Sequence, residues 1–214
     1  NILIIIYMNH GLMFLSCYFL SSLFCYGIDI LVPDCRVKMI PKSIVNREYL
    51  KMLPLCSSNA LIGTVVLSVG DNYLLSKDTT NDHYFLTNII LWLVVTDFWF
   101  YVLHRLFHTK ILYRYHRVHH DYSYTFGMGA IYAHPVDFLF TNLFPVGFPI
   151  LFFNIPYYQA MIITIFSTCY TTIISHGGYK INACRGHLIH HVKRKHNYGL
   201  LIFDRVLGTH QSSL

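Results

Sequence analysis

The sequence predicts an all-α, multi-span helical membrane protein that carries a histidine-rich helical cap on the cytoplasmic side. Three observations carry that prediction. Charged residues make up only 12% of the 214 residues against 54% hydrophobic ones. A soluble domain has about 25% charged residues, so this chain has too little charge to cover a water-facing surface. The apolar residues gather in runs of membrane-spanning length, and the histidines recur at helical spacing.

The runs define the elements in order. The first, Ile2 to Tyr26, has no Lys or Arg before Arg36. It lacks the basic front of a secretory signal and is longer than a signal's apolar core, so it predicts a membrane helix. Leu55 to Leu75 and Phe85 to Leu103 are the second and third runs. Val136 to Ile174 is about twice the length of one span. It is interrupted at Pro145, Pro149, Asn154 and Pro156, which predicts two helices in a hairpin that crosses or dips into the bilayer.

Charge assigns the sides. Arg36, Lys38, Lys42, Arg47 and Lys51 outweigh Asp34 and Glu48 in the first polar segment, whereas Asp71 to Asp82 is acidic with only Lys77. The positive-inside rule places the first segment in the cytoplasm and the second opposite. Alternating spans return His104 and the residues after it to the cytoplasm, and residues 175–214 as well. The net charge of +6 then reads as a basic belt beside the membrane, and nucleic acid is not an expected partner. The six cysteines, at 17, 25, 35, 56, 169 and 184, form no CxxC pair, which predicts inert thiols rather than a disulfide framework or zinc ribbon.

Most of the 14 histidines are clustered: His104 with His108, then His116, His119 and His120, then His187, His190 and His191. Residues three or four apart share a helical face. Each HxxHH triplet therefore presents imidazoles to one volume, enough for part of one metal's shell and a contribution to a second. Neutral imidazole suits iron, zinc, copper and nickel. His134, His176 and His196 stand singly, each an even choice between ligand and ordinary side chain. His196 alternatively joins a cationic surface with Lys193, Arg194 and Lys195. His10, His83 and His210 read as residues without a ligand role.

Absences narrow the chemistry. After His104 the only acids are Asp121, Asp137 and Asp204, so a carboxylate-rich ferritin-like site is excluded. No HExxH is present, so a zinc protease lacks its base. Asp97 lies seven residues before His104 on the same helical face. It either orients a ligand histidine or pairs with a Lys or Arg within the helix.

The motifs Asp97-Phe-Trp-Phe-Tyr-Val-Leu-His104-Arg-Leu-Phe-His108, His116-Arg-Val-His119-His120, Tyr132-Ala-His134-Pro135, His176-Gly-Gly-Tyr179, His187-Leu-Ile-His190-His191, Asn197-Tyr198-Gly199 and Phe203-Asp204-Arg205-Val-Leu-Gly208-Thr209 resemble, in that order, the fatty acid hydroxylase/sterol desaturase superfamily. The resemblance divides the chain into N-terminal membrane helices, residues 1–84, and a fatty acid hydroxylase-like domain, residues 85–210. It implies two non-haem iron ions and an O2-dependent oxidoreductase that hydroxylates or desaturates a sterol, sphingoid base or fatty acyl chain. It implies ligands at the eight clustered histidines and His176, with His134 recurrent but less firmly a ligand. It further implies an endoplasmic-reticulum location and electrons from a cytochrome b5-type or reductase partner. The segment from Phe126 to Pro135 is similar to sterol C4-methyl oxidases and sphinganine hydroxylases. These 214 residues include no cytochrome b5-like segment, so electrons are expected from a partner, and Val192-Lys-Arg-Lys-His196 is unusually basic. That run is read as a docking surface for an acidic donor or as a headgroup patch. The alternatives are a metal-binding or metal-transporting membrane protein and a catalytically inactive relative.

Overall fold

A computed structural model describes residues 9–76, 84–181, 185–200 and 202–213. Helices account for the fold among these residues, with no strand beyond one isolated bridge between Arg36 and Tyr179. Helix α1 (His10–Leu31) is followed by α2 (Lys42–Leu75), α3 (Phe85–Phe107) and the short α4 (Tyr113–His116). Next come α5 (Pro135–Asp137), a π-helical stretch Phe138–Leu143 and α6 (Phe144–Phe152), which together form one continuous 18-residue helix. Helix α7 (Tyr157–Cys169) continues as a second π-helical stretch, Tyr170–Ser175. Two short helices, α8 (Arg185–Lys193) and α9 (Phe203–Val206), complete the fold.

Among the described residues four helices are long and apolar enough to cross a membrane: His10–Leu31, Lys42–Leu75, Phe85–Phe107 and Pro135–Phe152. Large apolar side chains such as Leu20, Leu61, Val65, Leu86 and Ile90 point outward, a surface suited to lipid and not to water. The expected break in the fourth run falls at residues 153–156. Asn154 adopts a positive φ there, and Pro156 opens α7. Pro145 and Pro149 remain within helix because the π-helical turn before α6 absorbs the irregularity.

Two sequence readings need correction. Helix α2 begins at Lys42, not near Leu55. At about 51 Å it is longer than the roughly 30 Å hydrocarbon layer, so its charged first turns continue the helix beyond the apolar zone. Arg36, assigned above to the basic belt, is 1% exposed. Its guanidinium donates to Asp29 Oδ1 at 2.6 Å, to the Gly177 carbonyl at 3.0 Å and to the Thr125 carbonyl. Tyr49 donates to the other Asp29 oxygen at 3.1 Å. Gly178 makes this clamp possible: its φ is +70°, and a Cβ there would stand 3.0 Å from the Arg36 guanidinium.

Chain order places α1's end, α2's start, α3's end, α5 and the end of the 157–175 run at one end of the bundle. The connecting segments form the cap there. Tyr18 donates to the Met128 carbonyl at 2.7 Å, and Asn59 to the carbonyls of Ile131 and Ala133, each at 2.8 Å. A core around Tyr18, Met52, Phe126, Ile131 and Phe138 fills the junction. The five described cysteines are free thiols; Cys184, like His83, lies outside the described residues.

Removing one partner of the Arg36–Asp29 pair leaves a buried charge uncompensated, at a cost of about 3–5 kcal/mol. Arg36→Ala and Asp29→Ala should each lower the melting temperature in detergent sharply, and the double substitution should cost less than the two added together. Additive losses would contradict the clamp.

Candidate metal centre

Nine histidines meet beneath the cap, in two groups. Helix α3 supplies His104 from its last turn, and His108 closes that helix. Helix α4 ends on His116, and the tight turn after it carries His119 and His120. His176 follows the second π-helical stretch, and α8 presents His187, His190 and His191. One group comprises His104, His108, His116, His120 and His190; the other comprises His119, His176, His187 and His191. The triplets divide crosswise. In each, the residues four apart enter one group and the middle residue enters the other.

The atoms that converge are Nε2. In the first group the pairs His104–His116, His120–His116, His120–His190, His108–His190 and His120–His108 lie 3.0–3.2 Å apart. In the second, His176–His187, His187–His191, His191–His119 and His119–His176 lie 3.1–3.4 Å apart. The rings of His120 and His191 link the groups, with centroids 4.7 Å apart.

The opposite nitrogens decide what those contacts are. Nδ1 faces an oxygen acceptor in His104 (Tyr198 carbonyl, 2.7 Å), His116 (Asp137 Oδ2, 2.8 Å), His119 (Tyr132 carbonyl, 3.2 Å), His176 (Thr171 carbonyl, 2.8 Å), His190 (His196 carbonyl, 2.7 Å) and His191 (Tyr122 carbonyl, 3.0 Å). A carbonyl or carboxylate only accepts, so Nδ1 carries the proton in these six rings and Nε2 is left with a lone pair. Lone pairs aimed at one another are not hydrogen bonds. They fit a cation, because a metal–imidazole bond of about 2.1 Å sets neighbouring ligand nitrogens about 3.0–3.4 Å apart. The buried Nδ1 atoms of His120 and His187 have no partner among the described residues, so packing alone orients those rings.

Electrostatics agrees. Burial, reinforced by neighbouring imidazoles, pushes His108 and His176 down to about 3, and holds His116, His120, His187, His190 and His191 below the ordinary imidazole value. Burial likewise lowers His119, opposed by the Asp137 charge. Neutral imidazole is the form that binds metal.

Three candidates lie elsewhere. His134 caps α5, its Nδ1 accepting from Val136 N–H at 3.2 Å, and its ring packs on Tyr115. His196 contributes its backbone carbonyl to His190, and its side chain belongs to neither group. Asp97 is fully buried and accepts the N–H groups of Leu200, Ile202 and Phe203. Together with Asp204, which accepts from Tyr198 N–H at 2.8 Å and Gly199 N–H at 2.6 Å, it holds the loop whose Tyr198 carbonyl fixes His104. Asp97 thus meets the backbone of this loop and reaches His104 through it. Gly199 lies between the two carboxylates, and a Cβ there would meet Asp97 Oδ1 at 2.8 Å.

Asp137 was noted among the scarce acids but given no role, and the backbone acceptors were not foreseen. Asp137 had one signal, an acid at the head of an apolar run. The carbonyls had none.

Two groups of buried histidines that could hold metal ions, at one end of a membrane helix bundle, are thus what fold and site define. Residues 89–209 match the fatty acid hydroxylase family, more than half of the chain, and the chain belongs to that family. It is 34% identical over 131 residues to methylsterol monooxygenase 1 of Gallus gallus (54% of this chain, 43% of the relative). It is 33% identical over 141 residues to a C-4 methylsterol oxidase of Schizosaccharomyces pombe (58% and 47%). It is 35% identical over 94 residues to a very-long-chain aldehyde decarbonylase of Oryza sativa (44% and 34%). The chain spans less than half the length of these relatives. No solved structure matches it.

Two outcomes are expected. Asp137→Ala should weaken metal binding about 10–100-fold, the usual cost of losing a ligand's outer partner, as read by competition with a chelator. In the metal-stripped chain the depressed imidazole values fix the sign of the pH dependence. Below about pH 6.5 the unfolded chain binds protons that the folded chain refuses, so the melting temperature should be level above pH 7 and fall steadily towards about pH 4. A rise on acidification would contradict the burial of neutral rings.

Proposed function

We propose that this chain is the oxidising unit of a membrane lipid oxidoreductase that hydroxylates or desaturates a sterol, sphingoid base or fatty acyl chain with O2. The observation that carries this is the convergence of nine Nε2 atoms, with their tautomers largely fixed from behind, in two adjoining groups at the end of an apolar bundle. The five-histidine and four-histidine groups would each hold one iron ion. Bound iron would supply the redox chemistry for activating O2, with electrons drawn from a cytochrome b5-type or reductase partner.

The chain's own residues do the rest. Carbonyls and Asp137 hold the Nδ1 protons of six rings, so those imidazoles point their lone pairs inward without reorganising. A small cavity between the π-helical stretches is bounded by Phe100, Thr141, Asn142, Thr171, Ser175 and Leu200, and also by five of the histidines. It gives a lipid carbon a dry approach. Residues 1–84 serve as the membrane support and 85–210 as the oxidising domain. The sterol-oxidising relatives favour an endoplasmic-reticulum location, and the basic segments favour a cap in the cytoplasm. There the exposed Arg194 and Lys195 offer an acidic electron donor a docking surface.

The test is turnover by iron-loaded chain given O2, a reductant and a membrane lipid extract, read by mass spectrometry as an added oxygen or a lost pair of hydrogens. His119→Ala should reduce product by more than about 100-fold, beyond the loss of an outer partner, while the exposed His210→Ala should leave it unchanged. Metal binding without any product would favour a metal-binding or regulatory role.

A further inference from the structure

The remote end of the bundle holds a second polar site. His10 opens α1, Asp71 lies near the end of α2 and Tyr157 starts α7. His10 is 3% exposed and Asp71 5%. One Asp71 oxygen accepts the His10 backbone N–H at 3.0 Å and the other is paired with Nδ1. The Tyr157 ring packs edge-on against the imidazole at 4.5 Å. Nδ1 faces the carboxylate, which leaves Nε2 as the ring's remaining polar atom. That Nε2 is buried and has no hydrogen-bond partner among the described residues. A buried polar atom left unpaired in this way is costly.

His10 borders a cavity of about 90 Å³. This cavity shares Leu67, Leu143, Gly147, Ile150 and Thr164 with a second of about 60 Å³. The second shares Asn142 and Thr171 with the cavity that touches the histidine groups. Through these shared walls the three mostly apolar cavities adjoin in a narrow row along the inside of the bundle. Tyr157 and Ser175 mark its two ends on one helical run, roughly 27 Å apart.

We propose that this path holds an elongated single-chain lipid whose hydroxyl donates to His10 Nε2, presenting a carbon remote from that hydroxyl to the histidine groups. His10 and Asp71 then act as a measuring end: hydroxyl capture sets which part of the chain reaches the metals. The proposal rests on the lipid-oxidising reading above but concerns binding alone. The narrow path selects an unbranched chain over fused rings. The lone pair selects a donor over an ether oxygen, which would leave Nε2 unsatisfied.

The test uses metal-loaded chain without O2 or reductant, so that no turnover occurs. The probe is stearyl alcohol carrying a photoreactive diazirine near its methyl end. Irradiation should label residues beside the histidines, around positions 141–142 and 171–175. Stearyl alcohol should compete about tenfold better than stearyl methyl ether, the worth of one hydrogen bond. In His10→Leu that preference should fall to near one, and His10→Gln should restore part of it. Labelling around positions 66–74, equal competition by alcohol and ether, or a preference that survives in His10→Leu would each overturn the proposal. If His10→Leu fails to fold, the alcohol-to-ether ratio of the unaltered chain still decides. Binding is read apart from chemistry, so failure here leaves the oxidative reading standing, and failure of turnover leaves this proposal standing.

Discussion

Everything at the working end of this molecule depends on which nitrogen of each imidazole carries the proton. Buried carbonyls and one carboxylate, from Asp137, take the Nδ1 protons of six rings, so the Nε2 lone pairs have nowhere to point but inward. A cluster of neutral acceptors in a dry interior is unfavourable by itself, because each unsatisfied group costs about 1–3 kcal/mol. Two bound cations would turn that cost into binding energy. The rest of the architecture can be understood as support for those rings.

The support comes from irregular backbone that regular helices hold in place. Thr171 illustrates it. The π-helical turn brings its carbonyl within reach of both the His176 backbone N–H, at 3.1 Å, and the His176 ring, at 2.8 Å, which an ordinary α-helical turn would not do. Asp97 and Asp204 secure the loop bearing Tyr198 in the same spirit, through backbone N–H groups. Arg36 ties the segment after α1 to the turns at Thr125, which follows His120, and at Gly177, which follows His176. The membrane helices thus fix the cap by a few buried polar contacts as well as by packing.

Much of this was legible in the sequence because helical spacing is a local property. The triplets 116/119/120 and 187/190/191 announce a shared face, and the structure brings all eight clustered histidines together. His176 was balanced on spacing alone, since it stands eleven residues before His187; only the resemblance raised it. The proline-marked hairpin was readable because proline acts on its own turn. The rest depends on long-range geometry. The carbonyl of Tyr198 is ninety-four positions from His104, and any residue type offers a carbonyl. Arg36 resembled its basic neighbours until its pairing with Asp29 set it apart, and α2's early start at Lys42 reflects a helix that outgrows the bilayer.

The central claim is that the two imidazole groups hold two ions side by side. Metal analysis of the purified chain after loading with ferrous iron and removal of loose metal tests it most directly. The account predicts two iron ions per chain at saturation, falling by one when His104 and His108 are both replaced by alanine and again by one when His187 and His191 are. A saturating content of one ion or none in the folded, unaltered chain would contradict it.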